Sequence, residues 1–159
     1  MLTVTDAHDG PLLATARELL LGYLRTWVAD GEPISADNRA LVAGLPGRYA
    51  PPEGASLVAF ESGRPLGCVF LAPHTGPVPG ALEIKHLYVV ESLRGHRVGR
   101  TLLDAAARRA AAMGRATLLL DVDRSRTAAV ALYESAGFRP VEAFNAGWPA
   151  ALHLARPVR

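Results

Sequence analysis

The stretch of residues 82–122 most constrains what this chain can fold into. Leu82–Val90 (LEIKHLYVV) is rich in apolar and β-branched residues and predicts a strand. The short loop Arg94–Gly99 follows, and apolar residues at helical spacing then continue to Met113. Ala116–Val122 (ATLLLDV) is a continuous apolar run, which is typical of a strand covered on both faces. A strand, a helix and a strand in this order predict a parallel βαβ crossover.

Strands and helices are also predicted on both sides of this crossover. The order is β, α, α and a hairpin before it, and α, β, β after it. The predicted elements are strand Leu2–Thr5, helices Pro11–Ala29 and Ser35–Gly44, hairpin strands Ser56–Glu61 and Leu66–Ala72, helix Ser125–Ala136, and strands Phe138–Val141 and Ala150–Ala155.

The length and the net charge of the chain limit the classes of protein to which it can belong. The chain has 159 residues, and we expect a single domain over residues 1–159. Its formal net charge of +2 argues against a general binder of nucleic acid or of membrane surfaces. Cys68, the single cysteine, lies in an apolar run and is expected to be a buried thiol. Neither a signal peptide nor an apolar run of about 20 residues is evident, so we expect a cytoplasmic protein.

The loop between the predicted strand and helix concentrates positive charge. It carries Arg94 and Arg97 beside Gly95 and Gly99, and Arg100 follows at the helix start. A helix start presents unpaired N–H groups and a partial positive charge, so this loop is a candidate anion site. It lacks the Gly-Lys-Ser/Thr of a Walker loop and the G-x-G-x-x-G of dinucleotide-binding folds. The alternative is a tight turn with solvated arginines.

A second segment makes the pattern more specific. Residues 128–138 (AAVALYESAGF) place Tyr133 near the end of a helix, and Gly137 and Phe138 then lead into a strand. Together, the two segments resemble the GNAT superfamily of acetyl-CoA-dependent N-acetyltransferases. The element order before Leu82 fits as well, so the resemblance covers nearly the whole chain. It implies an α/β (α+β) fold, in which helices flank a mixed, mostly antiparallel sheet with a βαβ cofactor-binding unit.

The resemblance also implies an activity and a set of cofactor-binding residues. The activity is direct transfer of the acetyl group of acetyl-CoA to a primary amine in a ternary complex. The backbone of one strand is expected to bind the pantetheine arm, and the loop with the helix start is expected to bind the pyrophosphate. These residues are Leu87, Tyr88 and Val89 for pantetheine, and Arg94, Gly95, His96, Arg97, Val98, Gly99, Arg100 and Thr101 for pyrophosphate.

Two residues are candidates for catalysis on the same grounds. Tyr133 matches the tyrosine near the CoA sulfur, the usual general acid, and Glu83 matches a carboxylate that deprotonates the amine through water. Proton transfer from a tyrosine (pKa about 10) to a thiolate (about 8.5) is uphill by about 2 kcal/mol, so hydrogen bonding is the safer role. His86 is an alternative base. Tyr133 could instead be a core residue, and Glu83 a solvated neighbour of Lys85.

Two positions depart from the family pattern. Arg97 replaces the small middle glycine of the loop, and Arg126 stands where an asparagine often contacts the cofactor. An arginine at the second position could reach a phosphate instead. That substitution also keeps an alternative open, in which the protein is a non-catalytic CoA-binding regulatory module.

The sequence says less about the binding partners and about metal ions than about the fold. The expected acceptor is a small-molecule or peptide amine, with no nucleic acid and no membrane as partner, and dimers are common in the family. The five histidines are dispersed and show no metal-ligand spacing, so no metal site is expected. Trp27 and Trp148 are expected to be packing residues, although Trp148 lies in a late loop that often borders the acceptor pocket in this family.

Overall fold

A seven-stranded sheet forms the centre of the molecule in the computed structural model, which describes residues 1–95, 97–145 and 150–158. The strand order is β1-β2-β3-β4-β5-β7-β6, and four helices accompany it. The strands are β1 (Leu2–Asp6), β2 (Ala55–Glu61), β3 (Arg64–Pro73), β4 (Leu82–Val89), β5 (Thr117–Asp123), β6 (Arg139–Pro140) and β7 (Ala151–Pro157), and the helices are α1 (Gly10–Arg25), α2 (Ala36–Ala43), α3 (Val98–Ala112) and α4 (Thr127–Ser135).

The pairing of the strands confirms the predicted fold class. Strands β4 and β5 pair in parallel and are joined through α3, as the predicted crossover requires. The other neighbouring pairs are antiparallel, including the meander β2-β3-β4. The sheet is therefore mixed and mostly antiparallel.

Alternation along the strands builds a core on each face of the sheet. In β4, Leu82 and Ile84 pack with apolar residues of α3, whereas Cys68 and Phe70 of β3 pack on the opposite face with residues of α1 and α2. Cys68 is fully buried, as predicted, and burial raises the pKa of its thiol.

Several predicted boundaries differ from the observed ones. Helix α1 ends at Arg25, before the predicted end at Ala29, because Thr26 caps it and its hydroxyl donates to the Tyr23 carbonyl at 2.6 Å. Strand β6 is only two residues long and ends at Pro140, which has no N–H to donate to a neighbouring strand. Strand β7 instead continues to Pro157.

Two features of the described residues concern membranes and metals. None of the helices in residues 1–95, 97–145 and 150–158 is long and apolar enough to cross a bilayer. The same ranges contain no cluster of three His, Cys, Asp or Glu side chains arranged to bind a metal ion.

An ion pair between distant parts of the chain joins β1, at the sheet edge, to α3. Both guanidinium nitrogens of Arg109 donate to the Asp6 carboxylate, with 2.8 Å between Arg109 Nη2 and Asp6 Oδ2. These hydrogen bonds hold the pKa of Asp6 below its usual value, although partial burial opposes the shift.

The Asp6→Asn substitution should lower the stability of the protein at neutral pH by about 1 kcal/mol or less, since both side chains are partly exposed. Because the pKa of Asp6 is lowered on folding, its stabilising effect is present above pH ~4 and is lost as the pH falls further. Urea unfolding as a function of pH should therefore show a smaller loss of stability below pH ~4 in the variant. Glu53→Gln removes the more exposed pair with Arg115 and is the matched control; an equal effect there would contradict the assignment.

Candidate active site

Strands β4 and β5 separate after a short paired region. Their parallel pairing consists of Leu82 with Leu118 and Glu83 with Leu119. Beyond these pairs, β4 continues to Val89 and β5 to Asp123 without pairing to each other. We call the space between the two strands beyond Glu83 and Leu119 the β4–β5 opening.

A β-bulge in β4 accompanies this separation. Cys68 pairs with Tyr88 and Phe70 pairs with Lys85, so β4 uses one residue more than β3 between the same two points. His86, inside the bulge, has a φ of 54°, a backbone conformation that non-glycine residues rarely adopt. A bulge bends its strand, which accounts for the divergence of β4 from β5.

The end of β4 provides backbone groups beside the opening. Leu87 and Val89 pack their side chains against the core on the α3 face. Tyr88 packs on the other face against α1, where a Cβ on Gly22 would lie 3.0 Å from its hydroxyl. The side chains of residues 87–89 are thus engaged on both faces, and their backbone lies along the opening that β5 leaves.

The predicted anion site lies at the start of α3. Gly95 has a φ of 90°, and Arg97 caps the helix with a φ of 68°. The backbone at Arg97 is left-handed, a conformation in which a residue with a side chain is strained. This strain gives a physical reason for the glycine that the family pattern has at this position. The backbone N–H and the hydroxyl of Thr101 both bond to the Arg97 carbonyl at 3.0 Å, which closes the first helical turn. His96, also predicted to bind the cofactor, lies outside the described residues.

The remaining residues of this loop have different environments. Arg94 is exposed, and its Nε lies 3.4 Å from the Val89 carbonyl oxygen. Arg100 donates to the Ser135 carbonyl at 3.1 Å, so its guanidinium is partly engaged by α4. Val98 and Gly99 are buried, and a Cβ on Gly99 would lie 2.8 Å from a methyl group of Leu132. The helix start is therefore packed tightly against α4.

Tyr133 lies near the end of α4 and is 8% exposed. Its ring packs edge-on against Phe138, with 5.9 Å between the ring centroids. Burial raises the pKa of its phenol, with smaller contributions from Tyr23 and Asp121 and an opposing one from Arg126. The phenol is therefore protonated at neutral pH, as a hydrogen-bond donor must be.

Glu83 belongs to a polar network and is only 8% exposed. Its Oε1 lies 2.7 Å from His74 Nδ1, and its Oε2 lies 3.2 Å from Lys85 Nζ. Lys85 Nζ is also 4.0 Å from Asp121 Oδ1 on β5, and Asp121 Oδ2 accepts a hydrogen bond from Asn145 at 2.9 Å. Two carboxylates on separate strands thus face one ammonium group.

Sequence reasoning missed three members of this network, namely His74, Asp121 and Asn145. Asp121 carried a usable signal, since it is a charged residue inside the apolar run Ala116–Val122. The other two lie in loops, and no local pattern indicated that they would meet β4 and β5.

His86, the alternative base, lies in an aromatic environment. Its ring centroid is 5.3 Å from that of Tyr23 and about equally distant, at 6.0 to 6.1 Å, from those of Phe70 and Tyr49. Burial lowers its pKa to about 4, and the charges of Lys85 and Arg48 add to the shift. The imidazole is neutral at pH 7 and is a weak base.

Arg126 connects α4 to the end of α1. Its guanidinium carbon lies 3.5 Å from the ring centroid of Trp27, and its Nη2 lies 3.4 Å from the Thr26 carbonyl oxygen. Trp27, expected to be a packing residue, is 41% exposed and packs against this arginine. Trp148 lies outside the described residues.

The Arg97→Gly substitution should raise thermal stability slightly while it weakens CoA binding. Glycine relieves the left-handed backbone, a gain of at most about 1 kcal/mol because glycine is also more flexible when unfolded. Loss of the guanidinium removes a bidentate donor for phosphate, for which we expect about tenfold weaker CoA binding. Calorimetry of unfolding and of CoA binding measures both. Arg97→Ala is the control, which should weaken binding without the gain in stability; unchanged binding in both variants would exclude a phosphate contact.

The Arg126→Gln substitution tests whether the Arg126 side chain stays on Trp27 or turns toward a phosphate of CoA. Because its guanidinium packs on Trp27, we expect CoA affinity to change less than about threefold and the fluorescence of Trp27 to change. A tenfold loss of CoA affinity would instead mean that Arg126 turns toward a phosphate when CoA binds.

The site thus combines a mixed sheet that splits between β4 and β5 with a helix start that carries arginines. The sequence model of the acetyltransferase (GNAT) family matches residues 13–138 of the chain. The protein therefore belongs to the GNAT acetyltransferase family, whose chemistry is acyl transfer from acetyl-CoA.

Individual relatives agree with this assignment. The chain is 30% identical over 154 residues to a protein named IAA acetyltransferase from Azospirillum brasilense, covering 97% of this chain and 96% of that protein. It is 38% identical over 98 residues to an uncharacterized N-acetyltransferase from Schizosaccharomyces pombe, a match that covers 61% of this chain but only 59% of the yeast protein. An acetyltransferase from Bacillus subtilis, solved in complex with CoA, shares the fold with a TM-score of 0.72, 18% identity and full coverage of both chains.

Proposed function

We propose that this protein transfers the acetyl group of acetyl-CoA directly to a primary amine in a ternary complex. The observation that carries the proposal is the set of groups around the β4–β5 opening. Glu83, Lys85 and Asp121 meet there, and the charge of Asp121 adds to the rise in the pKa of Tyr133 that burial causes. The cationic start of α3 follows the end of β4 in the chain.

Acetyl-CoA supplies the activated thioester, and the residues beside the opening suit its parts. The backbone of Leu87, Tyr88 and Val89 binds the pantetheine arm, because it belongs to the end of β4 that β5 leaves unpaired. The loop amides and the first turn of α3 bind the pyrophosphate. This role falls to Arg94, Gly95, His96, Arg97, Val98, Gly99, Arg100 and Thr101. A contact between Arg126 and the cofactor stays a prediction.

Tyr133 and Glu83 carry the chemistry in this proposal. The raised pKa of Tyr133 keeps its phenol protonated, and a hydrogen bond from it stabilises charge on the departing sulfur. Glu83 accepts a proton from the incoming ammonium, directly or through water. His86 is less suited to that role, because its ring packs among those of Tyr23, Tyr49 and Phe70.

The acceptor is a small-molecule or peptide amine in this proposal. Glu83 and Asp121 together outweigh the single charge of Lys85, so the opening favours a cationic acceptor. A cytoplasmic location, a homodimer, and the absence of nucleic acid and membrane partners stay predictions.

A non-catalytic CoA-binding module is the second candidate. The observation that favours it is the engagement of Arg126 by Trp27 and Thr26, where relatives often carry a cofactor-binding asparagine. Such a module would gain thermal stability from CoA and yet release no thiol from acetyl-CoA with any amine.

Tyr133→Phe should lower kcat more than tenfold and change CoA affinity less than about twofold, because it removes only the hydroxyl that stabilises the departing sulfur. Free-thiol release from acetyl-CoA across a panel of amines measures the rate, and calorimetry measures the affinity. Tyr49→Phe removes another buried hydroxyl, one that lies 3.5 Å from His86 Nε2, and is the matched control. An unchanged rate in Tyr133→Phe would remove this residue from the mechanism.

A further inference from the structure

Lys85 is the only lysine of the chain, and it lies at the β4–β5 opening. On β4 it is two residues beyond Glu83, and on β5 Asp121 is two residues beyond Leu119, the partner of Glu83. The ion pair between Lys85 Nζ and Asp121 Oδ1 therefore crosses the opening just past the last paired residues.

The two carboxylates that face Lys85 are each fixed by a second partner. Glu83 Oε1 is bonded to His74 Nδ1, so Oε2 faces the ammonium at 3.2 Å. Asp121 Oδ2 accepts from Asn145, so Oδ1 faces it at 4.0 Å. The ammonium is thus held between two oriented carboxylates, in the environment that an amine acceptor needs.

Lys85 also lies near the groups that the proposed reaction uses. The backbone of residues 87–89, assigned to the pantetheine arm, begins two positions further along the same strand. Asp121, which pairs with Lys85, contributes to the pKa shift of Tyr133. A primary amine and a carboxylate that can take its proton therefore lie on the same strand as the backbone assigned to the pantetheine arm.

We infer that Lys85 is an internal acetyl acceptor, which takes the acetyl group from acetyl-CoA when no substrate amine is bound. The inference rests on the proposed function, since it uses the same thioester. The side chain of Lys85 is 26% exposed, so the amine is covered from bulk solvent but not sealed from the opening.

Acetyl transfer to Lys85 begins with the loss of a proton from its ammonium group. The Lys85 ammonium passes a proton to Glu83 Oε2, and the free Nζ attacks the thioester carbonyl carbon. The C–N bond forms and the C–S bond breaks, and the sulfur leaves with the bonding electron pair. It takes up one proton, so an ammonium and a thioester give an amide, a free thiol and one proton released to solvent.

Mass spectrometry of the intact protein, incubated with acetyl-CoA and no added amine, tests the inference. We expect one acetyl group per chain, one equivalent of free thiol, and a modified peptide that contains Lys85. The α-amine of Met1 is an internal control, because the Met1 side chain is 92% exposed and the ammonium pairs with Glu61 on β2, which β3 separates from β4. It should be acetylated at least about tenfold more slowly, since it does not lie at the β4–β5 opening, where the thioester is positioned in this proposal.

Two variants separate catalysis from simple reactivity. Lys85→Arg keeps a cation between the carboxylates and cannot take the acetyl group, so it should fold normally and stay unmodified. Glu83→Gln keeps the amine but removes the proton acceptor and should slow acetylation by about tenfold or more. A saturating amine substrate should protect Lys85 in the unchanged protein.

The following outcomes would overturn the inference that Lys85 is an acetyl acceptor. Acetylation of Met1 at the rate of Lys85, or of Lys85 equally fast in the urea-unfolded chain, would show ordinary chemical acetylation. An unmodified Lys85 in protein that acetylates an added amine would remove the inference and leave the proposed function standing. CoA binding without acetyl transfer to Lys85 or to any amine would overturn both.

Discussion

The divergence of β4 from β5 is the constraint on which the rest of the site depends. Two parallel strands that stayed paired would satisfy each other's backbone groups and leave no space between them. One extra residue in β4, around His86, bends the strand away after Glu83. The left-handed backbone at His86 is strained, and the surrounding rings of Tyr23, Tyr49 and Phe70 hold it in place.

The same divergence explains why ionised side chains lie at the partly buried β4–β5 opening. Glu83 lies at the last paired position, and Asp121 lies just beyond it on the other strand. Carboxylates removed from water are costly unless charges or hydrogen bonds compensate them, and here His74, Lys85 and Asn145 do so. Compensation from both sides also fixes the orientation of the carboxylates, so a proton acceptor is in place before a substrate amine arrives.

The sequence alone allowed the fold to be predicted where the signal was periodic and local. These parts are the βαβ unit, the meander and the helix start beside Arg97. Each is indicated by the spacing of apolar residues or glycines that are close together in the sequence. The bulge is not indicated in this way, because Leu82–Val90 is uniformly β-prone and nothing in it marks His86 as the extra residue. The early end of α1 was missed although its cap is local, because apolar residues at helical spacing continue past Thr26, whose hydroxyl bonds back to the Tyr23 carbonyl.

The single lysine of this chain, Lys85, lies where a lysine is physically better suited than an arginine. Sixteen of the seventeen Lys and Arg residues are arginine. Arginine suits a phosphate, because its planar fork binds two oxygens at once, as at the start of α3. Between Glu83 and Asp121 the requirement differs, since the carboxylates belong to separate strands and face a common point. A compact ammonium meets both there, and unlike a guanidinium it can lose a proton and become a nucleophile.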